Sequence, residues 1–162
     1  MCVDDTFNTL YWEIYGWLAK QRAERRDLIV ALGGGVVGDL AGFVASTYLR
    51  GMPFVQIPTT VLAMNDAAIG GKVAVDLPDG KNLAGSFYQP KAVIADVSTL
   101  RTLPRRVFAE GFAEIIKHAW ILDSELLVEL ESQPTHYQPY SDLEDLEAVT
   151  TRSARLKALV VS

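Results

Sequence analysis

Between Asp5 and Arg25 apolar residues recur at spacings of three and four. Phe7, Leu10, Tyr11, Ile14, Tyr15, Trp17 and Leu18 form one stripe, which predicts an amphipathic helix. Asp5 or Thr6 caps its start, and the basic run Arg22 to Arg26 suits the negative end of its dipole. The pattern then changes. Leu28 to Leu32 is unbroken and apolar, as expected of a strand buried on both faces in a parallel sheet. A helix follows at Gly38 to Tyr48, and a second buried strand at Pro53 to Ile57. Thr59 to Gln89 is less regular. Val73 to Val75 and Leu83 to Gly85 flank a turn at Pro78-Asp79-Gly80 and predict a short hairpin. Ala92 to Ala95 is a third buried strand candidate. From Pro104 the periodicity is helical throughout: Pro104 to Leu122, Ser124 to Glu131 and Leu143 to Val160, with Pro134 and Pro139 in the loop before the last helix. The pattern predicts an α/β fold: a Rossmann-like portion over 1–97, then the start of an all-helical domain over 98–162, with the boundary near Val97 to Leu103.

Composition narrows the classes. Of 162 residues, 49% are apolar and 22% charged, so the chain can bury a core and is not disordered. A net charge of −5 argues against a nucleic-acid surface, although a local basic cluster remains able to hold an anion. The acidic start is unlike a signal peptide. The most apolar stretch, Leu28 to Leu49, contains Asp39 and three consecutive glycines, so it reads as strand, turn and helix rather than a membrane span. One cysteine, Cys2, allows no intrachain disulfide and suits a reducing compartment such as the cytoplasm. His118 to Thr151 holds eight acidic residues and no Lys or Arg, a pattern expected of a solvated helical face.

Three groups of residues carry candidate chemistry. Gly33 to Gly38 satisfies G-x-G-x-x-G between a predicted strand and a predicted helix. It serves either to bring backbone amides and a helix N-terminus to a phosphate or simply to turn the chain. Asp39 follows at once, and no acidic residue stands about 20 positions on, where a ribose partner is usual. Asp66, Lys72, Lys81 and Asn82 lie among glycines and turns, and such lysines suit a phosphorylated or carboxylated small molecule. They form no Walker A loop, since Asp66 replaces its first glycine and Val73 its hydroxyl residue. Glu114 and His118 sit at i and i+4 on one helix and share a face, but two donors do not fill a catalytic zinc site. By themselves they read as helix surface.

Taken in series, the motifs resemble 3-dehydroquinate synthase. They are Gly33-Gly34-Gly35-Val36-Val37-Gly38-Asp39, Tyr48-Leu49-Arg50-Gly51, Pro58-Thr59-Thr60, Asp66 with Ile69-Gly70-Gly71-Lys72, Gly80-Lys81-Asn82-Leu83, Tyr88-Gln89-Pro90, Thr99 to Pro104 and Gly111 to Lys117. The resemblance runs from about Asp27 to Lys157. It implies an enzyme of the shikimate pathway that cyclises 3-deoxy-D-arabino-heptulosonate 7-phosphate to 3-dehydroquinate, with catalytic NAD and a divalent zinc or cobalt ion. The implied route is transient oxidation, loss of phosphate, reduction, ring opening and aldol closure. The resemblance assigns NAD contacts to Gly35, Val36, Val37, Gly38, Asp39, Thr59, Thr60, Asp66, Lys72, Lys81, Thr99, Leu100, Arg101 and Thr102. It assigns substrate contacts to Lys72, Asn82, Lys117 and Lys157, with Asp66 near the reacting centre. Arg50 is implied as a phosphate ligand across a homodimer interface, and Glu114 as a metal ligand. His118 and His136 do not match the family's metal histidines.

The same resemblance implies that family members are longer at both ends. The chain then reads as an internal fragment holding one metal ligand of three and inactive alone. Val73, Asp76, Ala67 and Ala68 depart from the family's usual residues. They leave open a related cyclase acting on sedoheptulose 7-phosphate. A non-catalytic NAD-binding module, or half of a split enzyme, is the reading from another class.

Overall fold

A computed structural model describes residues 5–133 and 135–161, so Cys2 and Pro134 lie outside it, as do the side chains of residues 5–9. Helix α1 (Asp5–Lys20) ends short of Arg25. Arg22 adopts a left-handed φ of 54°, and the amide of Ala23 returns to the carbonyl of Leu18, which closes the helix as a Schellman-type turn. Most of the described stripe turns inward: Leu18 is buried, Tyr11 meets Phe43 edge-on and Tyr15 stacks on Tyr48, tying α1 to the next helix, whereas Trp17 is exposed against expectation and the side chain of Phe7 lies outside the described residues.

Strands β1 (Ile29–Gly33), β2 (Phe54–Pro58) and β5 (Ala92–Val93) form a parallel sheet in the order β1-β2-β5. Helix α2 (Gly35–Thr47) crosses its face, beginning three residues before the predicted Gly38. Gly35, Val36 and Val37 therefore form the helix's first turn rather than its approach. Gly38 lets α2 lie close on the sheet: a Cβ there would stand 2.6 Å from the buried Gln56 side chain. Ala45, Phe54 and Val73 make the small core beneath, with Tyr88 stacked on Phe54.

The predicted hairpin is present as β3 (Lys72–Leu77) and β4 (Gly80–Phe87), antiparallel and separate from the main sheet. Three short turns were not legible in the pattern: 3-10 turns at Tyr48–Arg50 and Val97–Thr102, and a π-helical turn at Ala63–Ala67. The helical part comprises α3 (Arg105–Leu122), α4 (Ser124–Ser132) and α5 (Leu143–Val161). Its core gathers Phe108, Ile115, Leu126, Leu146 and Val149, and it also takes Val61 from just before the π-helical turn and Met64 from within it. The helical core thus holds the turn that carries Asp66.

Candidate functional site

The parallel register sets Gly33 beside Pro58, so the C-terminal ends of β1 and β2 lie together. This is where open α/β sheets bind ligands. The Thr59 amide donates to the Gly33 carbonyl at 2.9 Å, pinning the two loops to each other. Gly34 precedes α2 in an extended conformation with no side-chain cap. The amides of Gly35, Val36 and Val37, at a helix start, are left for an anion. A pyrophosphate fits this cradle. The Thr60 hydroxyl is engaged, accepting from the Ala63 amide at 3.1 Å and opening the π-helical turn.

Asp39 stands on the first turns of α2, half-buried. Its carboxyl is pushed up to about 6, first by burial and then by the negative charges of Asp66 and Asp76. Asp76 in turn accepts from the Asn82 amide at 2.8 Å, which holds Asn82 at a left-handed φ of 55°. Arg50 has the same kind of backbone, with φ of 63°. For both residues the conformation is uncommon, though Asn tolerates it better than Arg.

The cluster that the sequence pattern could not assemble joins three elements. The π-helical turn brings Asp66, α3 brings Glu114, Lys117 and His118, and α5 brings Lys157 and Ser153. Lys157 Nζ lies 2.5 Å from Asp66 Oδ1, and Lys117 pairs with Glu114. The Lys117 ammonium meets Glu114 at Oε2, so this half-buried carboxylate is neutralised within the cluster. Donor atoms of Asp66, Glu114 and His118 lie within 4.8 Å of one another, a set whose chemistry fits a divalent cation.

His118 corrects the expectation of helix surface. It is 5% exposed, and its Nδ1 is 2.9 Å from the hydroxyl of the fully buried Ser153. Burial, together with the Lys117 charge, holds its imidazole below the ordinary value and so neutral. The i, i+4 spacing signalled that His118 shares a face with Glu114. That α5 covers this face, with Ser153 supplied from 35 residues away, was not legible locally.

The remaining expected residues are placed differently. Lys72, Lys81, Asn82 and Arg50 are exposed, and among the described residues none of their side chains is paired with the cluster. Thr99 is half-buried, while Arg101 and Thr102 are exposed on the 3-10 turn. Leu100 differs: its side chain is fully buried in the helical core, which leaves only its backbone to a ligand. His136 pairs with Asp145 at 3.0 Å, outside this cluster.

The family model for 3-dehydroquinate synthase N-terminal matches residues 5–110. The chain belongs to the 3-dehydroquinate synthase family. The 3-dehydroquinate synthase of Symbiobacterium thermophilum is 52% identical over 151 residues, covering 93% of this chain and 42% of that protein. The chain thus spans about two fifths of the length of the curated relatives it matches. Among solved structures, the fold is similar to ValA, a 2-epi-5-epi-valiolone synthase of Streptomyces hygroscopicus with NAD+ and Zn2+ bound. The TM-score is 0.85 at 33% identity, over 91% of this chain and 41% of that one. It is also similar to 2-deoxy-scyllo-inosose synthase complexed with carbaglucose-6-phosphate, NAD+ and Co2+. There the TM-score is 0.80 at 30% identity, over 94% of this chain and 41% of that one. Family membership and the Rossmann-like α/β fold inferred from the motifs are borne out.

Proposed function

We propose that the chain contributes the NAD cradle and much of the substrate site of a 3-dehydroquinate synthase, which converts 3-deoxy-D-arabino-heptulosonate 7-phosphate to 3-dehydroquinate and phosphate. The observation that carries this reading is the meeting of Asp66, Glu114, Lys117 and Lys157 where the π-helical turn, α3 and α5 converge. When bound, NAD would supply a transient hydride acceptor and a zinc or cobalt ion a Lewis acid for the substrate's oxygens. The amides of Gly35, Val36 and Val37 hold the pyrophosphate at the α2 N-terminus, with Gly38 keeping α2 close to the sheet. Thr59, Thr60, Lys81 and the Thr99–Thr102 turn line the rest of the nucleotide. Lys117 and Lys157 are ammonium donors for the anionic substrate, which would draw them from the carboxylates they now neutralise. Lys72 and Asn82 add contacts from the hairpin. Arg50, on its exposed turn, reaches the phosphate of a partner subunit in a cytoplasmic homodimer.

The test is phosphate release from 3-deoxy-D-arabino-heptulosonate 7-phosphate with NAD+ and Zn2+. The chain is assayed alone and together with the C-terminal part of the Symbiobacterium thermophilum relative. Negligible release alone and turnover with the complement, lost in Lys117→Met, is expected. Preference for sedoheptulose 7-phosphate would replace the substrate assignment. NAD+ binding without release from either sugar would reduce the chain to a nucleotide-binding module.

A further inference from the structure

We propose that the buried pair His118 and Ser153 positions Lys117 and Lys157, the two ammonium donors of the proposed substrate site, by fixing the register of α3 against α5. The inference rests on reading those lysines as substrate donors and gives His118 and Ser153 a role through them.

The two helices meet along an apolar seam. Ile115 and Ala119 of α3 and Leu146 and Val149 of α5 belong to one buried core. Such packing is non-directional, so by itself it resists a small slide or rotation of one helix on the other only weakly. Among the described residues, one side-chain hydrogen bond joins α3 to α5. It lies between His118 Nδ1 and the Ser153 hydroxyl, at 2.9 Å. His118 is 5% exposed and Ser153 0%. Water has little access to the bond, and a shifted helix would leave two buried polar groups without partners. Apolar residues of the same shape would hold the seam about as firmly, so the pair contributes direction rather than cohesion.

In both helices a lysine stands beside this bond. Lys117 precedes His118 in α3, so its direction is tied to that of the ring. Lys157 lies one turn beyond Ser153 on the same face of α5. The charges of both ammonium groups, and those of Glu114 and Asp66, reach the imidazole. Lys157 Nζ is 2.5 Å from Asp66 Oδ1 and Lys117 pairs with Glu114, so each ammonium rests on a carboxylate. An anion that draws both lysines must find them at a fixed separation, and the register of α3 on α5 sets that separation. A misplacement of about 1 Å in such groups costs up to about a hundredfold in rate.

The first experiment uses the 162-residue chain. Amine acetylation read by mass spectrometry reports how far each lysine is shielded. Ser153→Ala and His118→Leu are expected to speed modification of Lys157 by about threefold or more, as local opening does. The exposed Lys20 and Lys91 are internal references whose rates stay the same. His118→Asn, whose amide reaches to where Nδ1 lies, should restore the protection. Circular dichroism melts verify that each variant is folded.

The second uses the complemented enzyme of the phosphate-release assay. Ser153→Ala should raise KM for the sugar phosphate about tenfold, with KM for NAD+ unchanged. In a Lys157→Met background the same change should have less than about a twofold effect, because the group it positions is gone. A pair that merely packs would lower the melting temperature in both backgrounds and leave KM and the protection of Lys157 as they were, which overturns the inference. Unaltered protection of Lys157 in Ser153→Ala overturns it whether or not the complemented enzyme turns over. A KM unmoved by Lys117→Met and Lys157→Met would overturn the reading of the lysines as substrate donors. Loss of protection in Ser153→Ala would then still leave the geometric role of the pair standing.

Discussion

Asp39 shows how a single residue's chemistry departs from its type. Its carboxyl is pushed up to about 6 from 3.8 because burial and the charges of Asp66 and Asp76 oppose ionisation. Between those values the folded chain binds more protons than the unfolded one, so the contribution of Asp39 to stability falls as pH rises through that window and is lowest above it. Thermal melts of Asp39→Asn are expected to exceed those of the parent at pH 8 and to converge with them near pH 4. A constant difference across that range would disprove the assignment. The adjacency of Asp39 to the glycine loop was legible in the sequence. Its raised affinity for protons was not, because Asp66 and Asp76 approach only through the π-helical turn and the hairpin. His118 teaches the same lesson: spacing placed it on the face of Glu114, but burial and the Ser153 bond came from α5.

At the scale of elements, two contacts hold the site in place. Gly111 lets α3 cross the chain just before the π-helical turn, where a Cβ would come 2.5 Å from Val61 Cβ and 2.6 Å from the Leu62 amide nitrogen. Gly111→Ala must push α3 away, at a cost of about 1–3 kcal/mol in a urea denaturation series. It should also separate Glu114 from Asp66 and from the Lys157 ammonium that Asp66 holds. Asp123 links the other helices. Its Oδ1 caps α4 by accepting from the Leu126 amide at 3.0 Å, and both its oxygens accept from Arg152 of α5 at 2.7 Å. Those bonds hold its carboxyl below the ordinary range, so its stabilisation is full at neutral pH and fades as acid titrates it. Loss of the cap alone in Asp123→Ala should cost roughly 1–2 kcal/mol, read from the urea midpoint at pH 7. A midpoint unchanged there would show that α4 and α5 are held by their apolar faces only. The acidic run from His118 to Thr151 is thus not wholly a solvated face, since Asp123 and Glu129 both meet Arg152.

For the whole molecule, the sheet is covered unevenly. Ala31, Phe54 and Gln56 are buried on one face, while Val30 and Leu32 on the other are 54% and 62% exposed. With Ile94, also exposed, they form an apolar face of the kind that drives association. The chain alone is expected to bind an apolar dye such as ANS and to self-associate with rising concentration. Val30→Thr combined with Leu32→Gln should reduce both. A monodisperse monomer that binds no dye would count against this. No helix among the described residues is long and apolar enough to cross a membrane. By itself the sequence determined the main strands and helices and their order, because apolar runs, hairpins and amphipathic helices each impose a local pattern on apolar residues; the burial of the strands on both faces that those runs predicted is not found, since one face of β1 and all of β5 are exposed. It also determined the family, because glycines and charged residues at fixed spacings form motifs readable along the chain. Only the tertiary structure decided which charges share a site. Asp66, Glu114, His118, Ser153 and Lys157 lie up to 91 positions apart and meet because the core of Val61, Met64, Ile115 and Leu146 clamps the π-helical turn between α3 and α5. Such convergence depends on packing between distant elements, and no local periodicity records it.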